Sequence, residues 1–139
     1  LAKVIAFKQH FLLYILTGSM IAVLMDLIID PVAYKVKEYW IWESESIYYN
    51  IPFSNFAGWF IVAFILHLAI YFFVHKDIAS RNLWHNRTIL VFILIQAMFI
   101  LLALISKLWL AVIMTGVLSA LVLIGYYFSL KRFAYDLGR

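Results

Sequence analysis

Cysteine is missing from all 139 residues, which removes disulfides, thiolate nucleophiles and cysteine-ligated zinc or iron–sulfur centres from consideration. Charge is scarce as well. Only 13% of the chain is Asp, Glu, Lys or Arg, while 67% is apolar and the mean hydropathy is +1.00. A water-soluble domain of this size needs a polar shell that such a composition does not supply. Histidine occurs four times, at His10, His67, His75 and His85, too thinly spread for the histidine boxes of membrane di-iron hydroxylases and desaturases. Of these, only His67 falls deep in an apolar run, where an interhelical hydrogen bond is its expected task. No Gly-rich nucleotide loop and no G-x-S-x-G elbow is present. There are two prolines, Pro31 and Pro52.

What is there is hydrocarbon. A helix crosses a bilayer core with roughly 20 apolar residues, and four runs qualify: 11–30, 55–75, 88–104 and 109–130. "ISKL" between the last two leaves room only for a tight helical hairpin. The expected fold is all-α, a polytopic integral membrane bundle of about four transmembrane helices forming a single transmembrane domain. The N-terminal stretch resembles a signal peptide but lacks a small-x-small cleavage site, so it reads as a retained helix. Formal net charge is +4, yet the basic residues gather at helix ends, which points to topology and lipid head groups rather than nucleic acid. Lys3, Lys8, Lys76, Arg81, Arg87, Lys131, Arg132 and Arg139 fall on one side of a four-helix threading. The positive-inside rule then puts both termini in the cytoplasm. The "NRT" sequon at 86–88 falls on that side and reads as a chance match.

Facing outward is the long loop between the first two helices, and it is unlike the rest. Five of the seven acidic residues (Asp26, Asp30, Glu38, Glu43 and Glu45) lie there or at its edge, and nine aromatics stand between Tyr34 and Trp59. Asp26 and Asp30 are spaced i, i+4, so both carboxyls share one face at the outer end of the first helix. An ionisable group within a span is costly unless it meets water or a partner, which makes it a functional candidate. Apolar surroundings disfavour a carboxylate anion, so a carboxylic acid kept there can serve as a general acid. Glu43 and Glu45 offer a second acid or a proton route. Tryptophan and tyrosine often mark the membrane interface, but aromatic faces also attract cations and stack along a flat polyene. Pro52 fixes an extended approach to the second helix, and Ser54 or Asn55 is expected to cap it, leaving the other free to orient a water or an acid. Gly58 is expected to let another helix or a ligand approach closely. Gln96 and Ser106 read as packing contacts, and no metal cluster is foreseen.

"DLIIDPVA", "YWIWE" and "YYNIPFSNFAGWF", taken together over about residues 20–65, resemble the membrane carotenoid-biosynthesis family. That family includes the CruF-type carotenoid 1,2-hydratases and bisanhydrobacterioruberin hydratase. Its members are longer, so the resemblance implies that this chain is their C-terminal part. It also implies hydration of the ψ-end group of a lycopene-like polyene, with no redox cofactor: an acid protonates the terminal double bond and water captures the tertiary cation. On that reading Asp26 or Asp30 donates the proton, with Glu43 as a further acid. Trp40, Trp42 and Tyr49 stabilise the cation, Ser54 and Asn55 place the water, and Tyr39, Pro52 and Trp59 line the substrate. The heterodimeric and fungal-type lycopene cyclases are similar in outline. They carry paired acids after the proline where this chain has Ser54 and Asn55, which favours water over ring closure.

Expected partners are the polyene and membrane lipid, with other membrane subunits or preceding helices as further neighbours. The expected location is the cytoplasmic membrane of a bacterium or archaeon. The competing expectation is a non-catalytic membrane subunit that holds a carotenoid or quinone within a larger complex.

Overall fold

The computed structural model describes residues 2–5, 11–73 and 82–137. They form a single turn α1 (Ala2–Ile5) and four long helices, α2 (Phe11–Lys35), α3 (Phe53–Phe73), α4 (Asn82–Ile105) and α5 (Trp109–Leu137). All four are long and apolar enough to cross a membrane, and no strand occurs among the described residues. The chain is an all-α integral membrane protein. Lys8, His10, His75, Lys76, Arg81 and Arg139, which entered the reading of topology and histidine chemistry, lie outside the described residues.

Helix α2 is the centre of the bundle, packing on α1, α3, α4 and α5. A third of its apolar window (33%) is buried, against 6% for α3, which packs chiefly on α2 and turns most of its surface to lipid. Lipid solvates leucine as well as a protein core does, so the bundle interior collects polar groups and the outside is hydrocarbon. Ser19, Asp26, Asp30, Gln96, Thr115 and Ser119 are buried, while Leu66, Phe73, Leu94 and Leu121 are exposed. Gln96 Nε2 donates to Ser119 Oγ at 3.1 Å and so ties α4 to α5.

Close approach of α2 and α3 depends on Gly18. A Cβ there would fall inside the His67 imidazole, which also meets the edge of Tyr14 with centroids 5.6 Å apart. Among the described residues the histidine makes no interhelical hydrogen bond of the kind expected. Its Nδ1 faces the Ala63 carbonyl of its own helix at 2.8 Å, and its contribution between helices is packing. Gly58, by contrast, has open space where a Cβ would stand.

The α4–α5 hairpin closes as a Schellman motif. Lys107 is left-handed (φ 60), Leu108 N–H donates to Ala103 O at 2.9 Å, and Lys107 N–H donates to Leu104 O at 3.1 Å. At the same end of the bundle, where Ile28 and Val32 pack with Ala103, Leu108 and Ala111, α2 continues through Pro31 to Lys35, where the expected span stopped at 30. The loop to α3 is accordingly 36–52 rather than 31–54. Proline removes only its own N–H and crowds the carbonyl four residues back, so a helix passes it when that carbonyl finds another donor. Here it finds Tyr48.

Candidate functional site

Asp26 and Asp30 stand one turn apart on α2, 6% and 3% exposed. Asn55, in the first turn of α3, reaches across to both. Its Nδ2 donates to Asp26 Oδ2 at 2.9 Å and to Asp30 Oδ2 at 2.5 Å. The i, i+4 spacing brings the two carboxyls to one face, and an NH2 group has two protons to give. One amide therefore holds a pair of acids. Because α3 begins at Phe53, neither Ser54 nor Asn55 occupies the expected capping position. Asn55 N–H donates to Pro52 O at 3.0 Å, which leaves its side chain free to cross to α2, while Ser54 is exposed.

Above the pair the loop is clasped by two tyrosines. Pro31 leaves the Leu27 carbonyl without its helical donor, and the Tyr48 hydroxyl donates to that oxygen. Burial, reinforced by Tyr49 and the two carboxyl groups, pushes the Tyr48 phenol well above its ordinary value, so it stays a donor. Tyr49 Oη accepts from Ala111 N–H at 3.2 Å. That amide belongs to the first turn of α5, where helical N–H groups lack partners of their own. The rings of Tyr48 and Tyr49 meet edge to face at 5.0 Å, and Tyr48 meets Phe56 of α3 at 5.8 Å. Tyr49 and Asn50 are both left-handed, at φ 51 and 62. For a bulky side chain this costs roughly 1–2 kcal/mol, which the clasp contacts offset.

None of the remaining residues anticipated from the sequence makes a hydrogen bond to the pair among the described residues. Tyr39 and Trp40 are exposed and lie against each other at 6.3 Å. Glu43, Glu45 and Trp59 are exposed too, and Pro52 is half-buried. Trp42 is half-buried, with its indole Nε1 enclosed and without a hydrogen-bond partner among the described residues. Tyr48 was not singled out from the sequence. Its signal was Pro31, which frees the carbonyl of Leu27 and so demands a donor from elsewhere. A cavity of about 450 Å³ opens between α1, α2 and α5, lined by Leu16, Met20, Leu24, Leu27 and Val122 among others. Neither carboxyl lines it. No group of three or more His, Asp or Glu that could hold a metal ion stands together among the described residues.

A buried acid pair held by one amide, under an aromatic clasp in a membrane bundle, suits chemistry on an apolar substrate. Comparison of the chain with protein families decides its kinship. The model of a family described as "Carotenoid biosynthesis protein" matches residues 2–122. The chain belongs to that family. The match reaches well beyond residues 20–65, taking in α4 and the first part of α5, up to residue 122. Searches of curated proteins and of solved structures each gave no match. Family membership gives the chain a role in carotenoid biosynthesis. With the four spans, it fits contact with carotenoid and with lipid.

Proposed function

We propose that this carotenoid-biosynthesis protein is a hydratase, adding water across the terminal double bond of a ψ-end-group, lycopene-like polyene. The observation that carries the reading is the Asn55 amide holding two buried carboxyls together. Acid-initiated addition needs a proton donor beside an apolar substrate and an acceptor to recover the proton. One carboxyl, in its acid form, gives its proton to the CH carbon of the terminal double bond. The cation forms on the dimethyl-substituted carbon, water bonds to it, and the resulting oxonium returns a proton to the pair. The net change is one water added, with the acids as they began. Asn55 sets the orientation of both groups, and Trp42 and Tyr49, half-buried where Trp40 is exposed, are suited to face the cation. Exposed Tyr39, Trp40 and Trp59 suit the head-group level where the polyene end enters. On this reading the protein sits in a cytoplasmic membrane, and the distribution of basic residues favours both termini inside and the acid pair toward the outer leaflet.

Expression of the gene in a bacterium that accumulates lycopene, followed by mass analysis of the pigments, tests this. Gain of one or two waters is expected. Asp26→Asn should lower that yield by about 100-fold or more, the scale of a general acid's contribution, with the protein still folded and inserted. Pigment of unchanged mass but altered spectrum would show ring closure instead. Unchanged pigment from an inserted protein would refute the enzymatic reading.

A further inference from the structure

Leu27 lies between the two acids in sequence, and its carbonyl is the one that Pro31 strips of a helical donor. An acceptor left unpaired away from water is costly, and the hydrocarbon of a bilayer offers it no donor. The loop supplies the donor: the Tyr48 hydroxyl reaches back 21 residues to Leu27 O. The same tyrosine packs on Phe56, one residue after Asn55, and on Tyr49, which holds the first turn of α5. Tyr48 therefore touches both helices that form the acid site, at the turn of α2 between Asp26 and Asp30 and beside Asn55 on α3.

We infer that Tyr48 is a positioning residue, and that Pro31 and Tyr48 form one device. Proline opens the α2 ladder at the turn that carries the acids, and the tyrosine hydroxyl closes it from the loop, fixing the two carboxyls against Asn55. Tyr48 itself touches no carboxyl through a hydrogen bond and acts through the backbone of α2. The functional consequence rests on the proposed hydration. The geometric one does not.

This makes a double-substitution prediction. In P31A, residue 31 regains an N–H that can bond the Leu27 carbonyl within the helix, so the tyrosine hydroxyl is no longer needed there. The wild type, Y48F, P31A and P31A/Y48F would be purified in lipid nanodiscs and compared by infrared difference spectroscopy. The carboxyl and carboxylate stretching bands are assigned by their loss in D26N and D30N. The same four proteins would be given lycopene. Y48F keeps the ring and its packing, so the fold is retained, but the bands of Asp26 and Asp30 should shift. Turnover should fall roughly tenfold, the scale of one buried acceptor left unpaired, with KM little changed because the polyene contacts remain. In the P31A background the second change should move the bands and the turnover by less than about twofold. Bands in Y48F that superimpose on the wild type overturn the inference. So does an undiminished Y48F effect in the P31A background, because the hydroxyl would then act somewhere other than the Leu27 carbonyl. If the bands respond as expected and the wild type adds no water to lycopene, the device stands and the hydratase reading falls.

Discussion

Replacing Asn55 by leucine keeps a side chain of similar volume and removes both N–H donors that reach Asp26 and Asp30. Interhelical hydrogen bonds inside bilayers average about 0.6 kcal/mol and reach about 1.7, because the unfolded chain in the membrane also finds partners. A bond to a charged acceptor lies at the upper end, roughly 1.5–3 kcal/mol in general, and under the proposed chemistry one of the two carboxyls is neutral. The two bonds share a single half-buried amide, so they do not add in full. A loss of about 2 kcal/mol is expected, roughly thirtyfold in the folding equilibrium. An unfolding titration in mixed micelles with added SDS reads this as a shift of the midpoint at constant slope. Under the proposed chemistry the same change should lower hydration of lycopene by about 100-fold, since loss of one pre-positioned donor commonly costs that much. A midpoint within about 0.5 kcal/mol of wild type, together with an unchanged pigment profile, would refute the reasoning, because the acids would then be held by something other than Asn55.

The two glycines that face opposite situations make a paired test. Gly18→Ala drives a methyl into the His67 ring and should cost about 1–3 kcal/mol, whereas Gly58→Ala meets open space and should be neutral or gain up to about 1 kcal/mol of helix propensity. SDS titrations of both variants separate these outcomes. Gln96→Leu removes a single neutral bond to Ser119 and also a carbonyl oxygen that has no partner among the described residues. It should cost no more than about 1 kcal/mol in the same titration. Glu43→Gln changes an exposed loop side chain, so pigment yield should stay within about twofold of wild type; a collapse of yield would bring Glu43 into the chemistry.

Much of the fold could be read before any coordinates. Four hydrocarbon runs and a tight "ISKL" turn dictate a helical membrane bundle, because lipid accepts only backbones that satisfy their own hydrogen bonds. The spacing of Asp26 and Asp30 was equally legible, since a period of 3.6 residues aligns i and i+4 whatever surrounds them. Reading failed where a partner came from far along the chain. Pro31 looked like the end of a helix, and a donor 21 residues away at Tyr48 carried the helix on to Lys35. Ser54 and Asn55 could not be told apart as the cap and as the residue that orients an acid, and two acids on another helix claimed the amide of Asn55. Gly58 looked like a place for a helix or a ligand to come close, but the helix contact belongs to Gly18, which was indistinguishable from it by residue type alone.

The sequence by itself determined that this protein lives in a bilayer, how many long helices it forms, and which family it resembles. Composition, run length and local motif settle those, and none depends on which helix meets which. Only the tertiary structure decided that the two carboxyls share one amide, that Trp42 and Tyr49 are half-buried while Tyr39 and Trp40 face outward, and that two adjacent tyrosines each satisfy an orphaned backbone group on a different helix. The physical reason is the same each time. A buried polar group must find a partner, and in lipid the partner is chosen by which surfaces pack together rather than by what stands nearby in the chain.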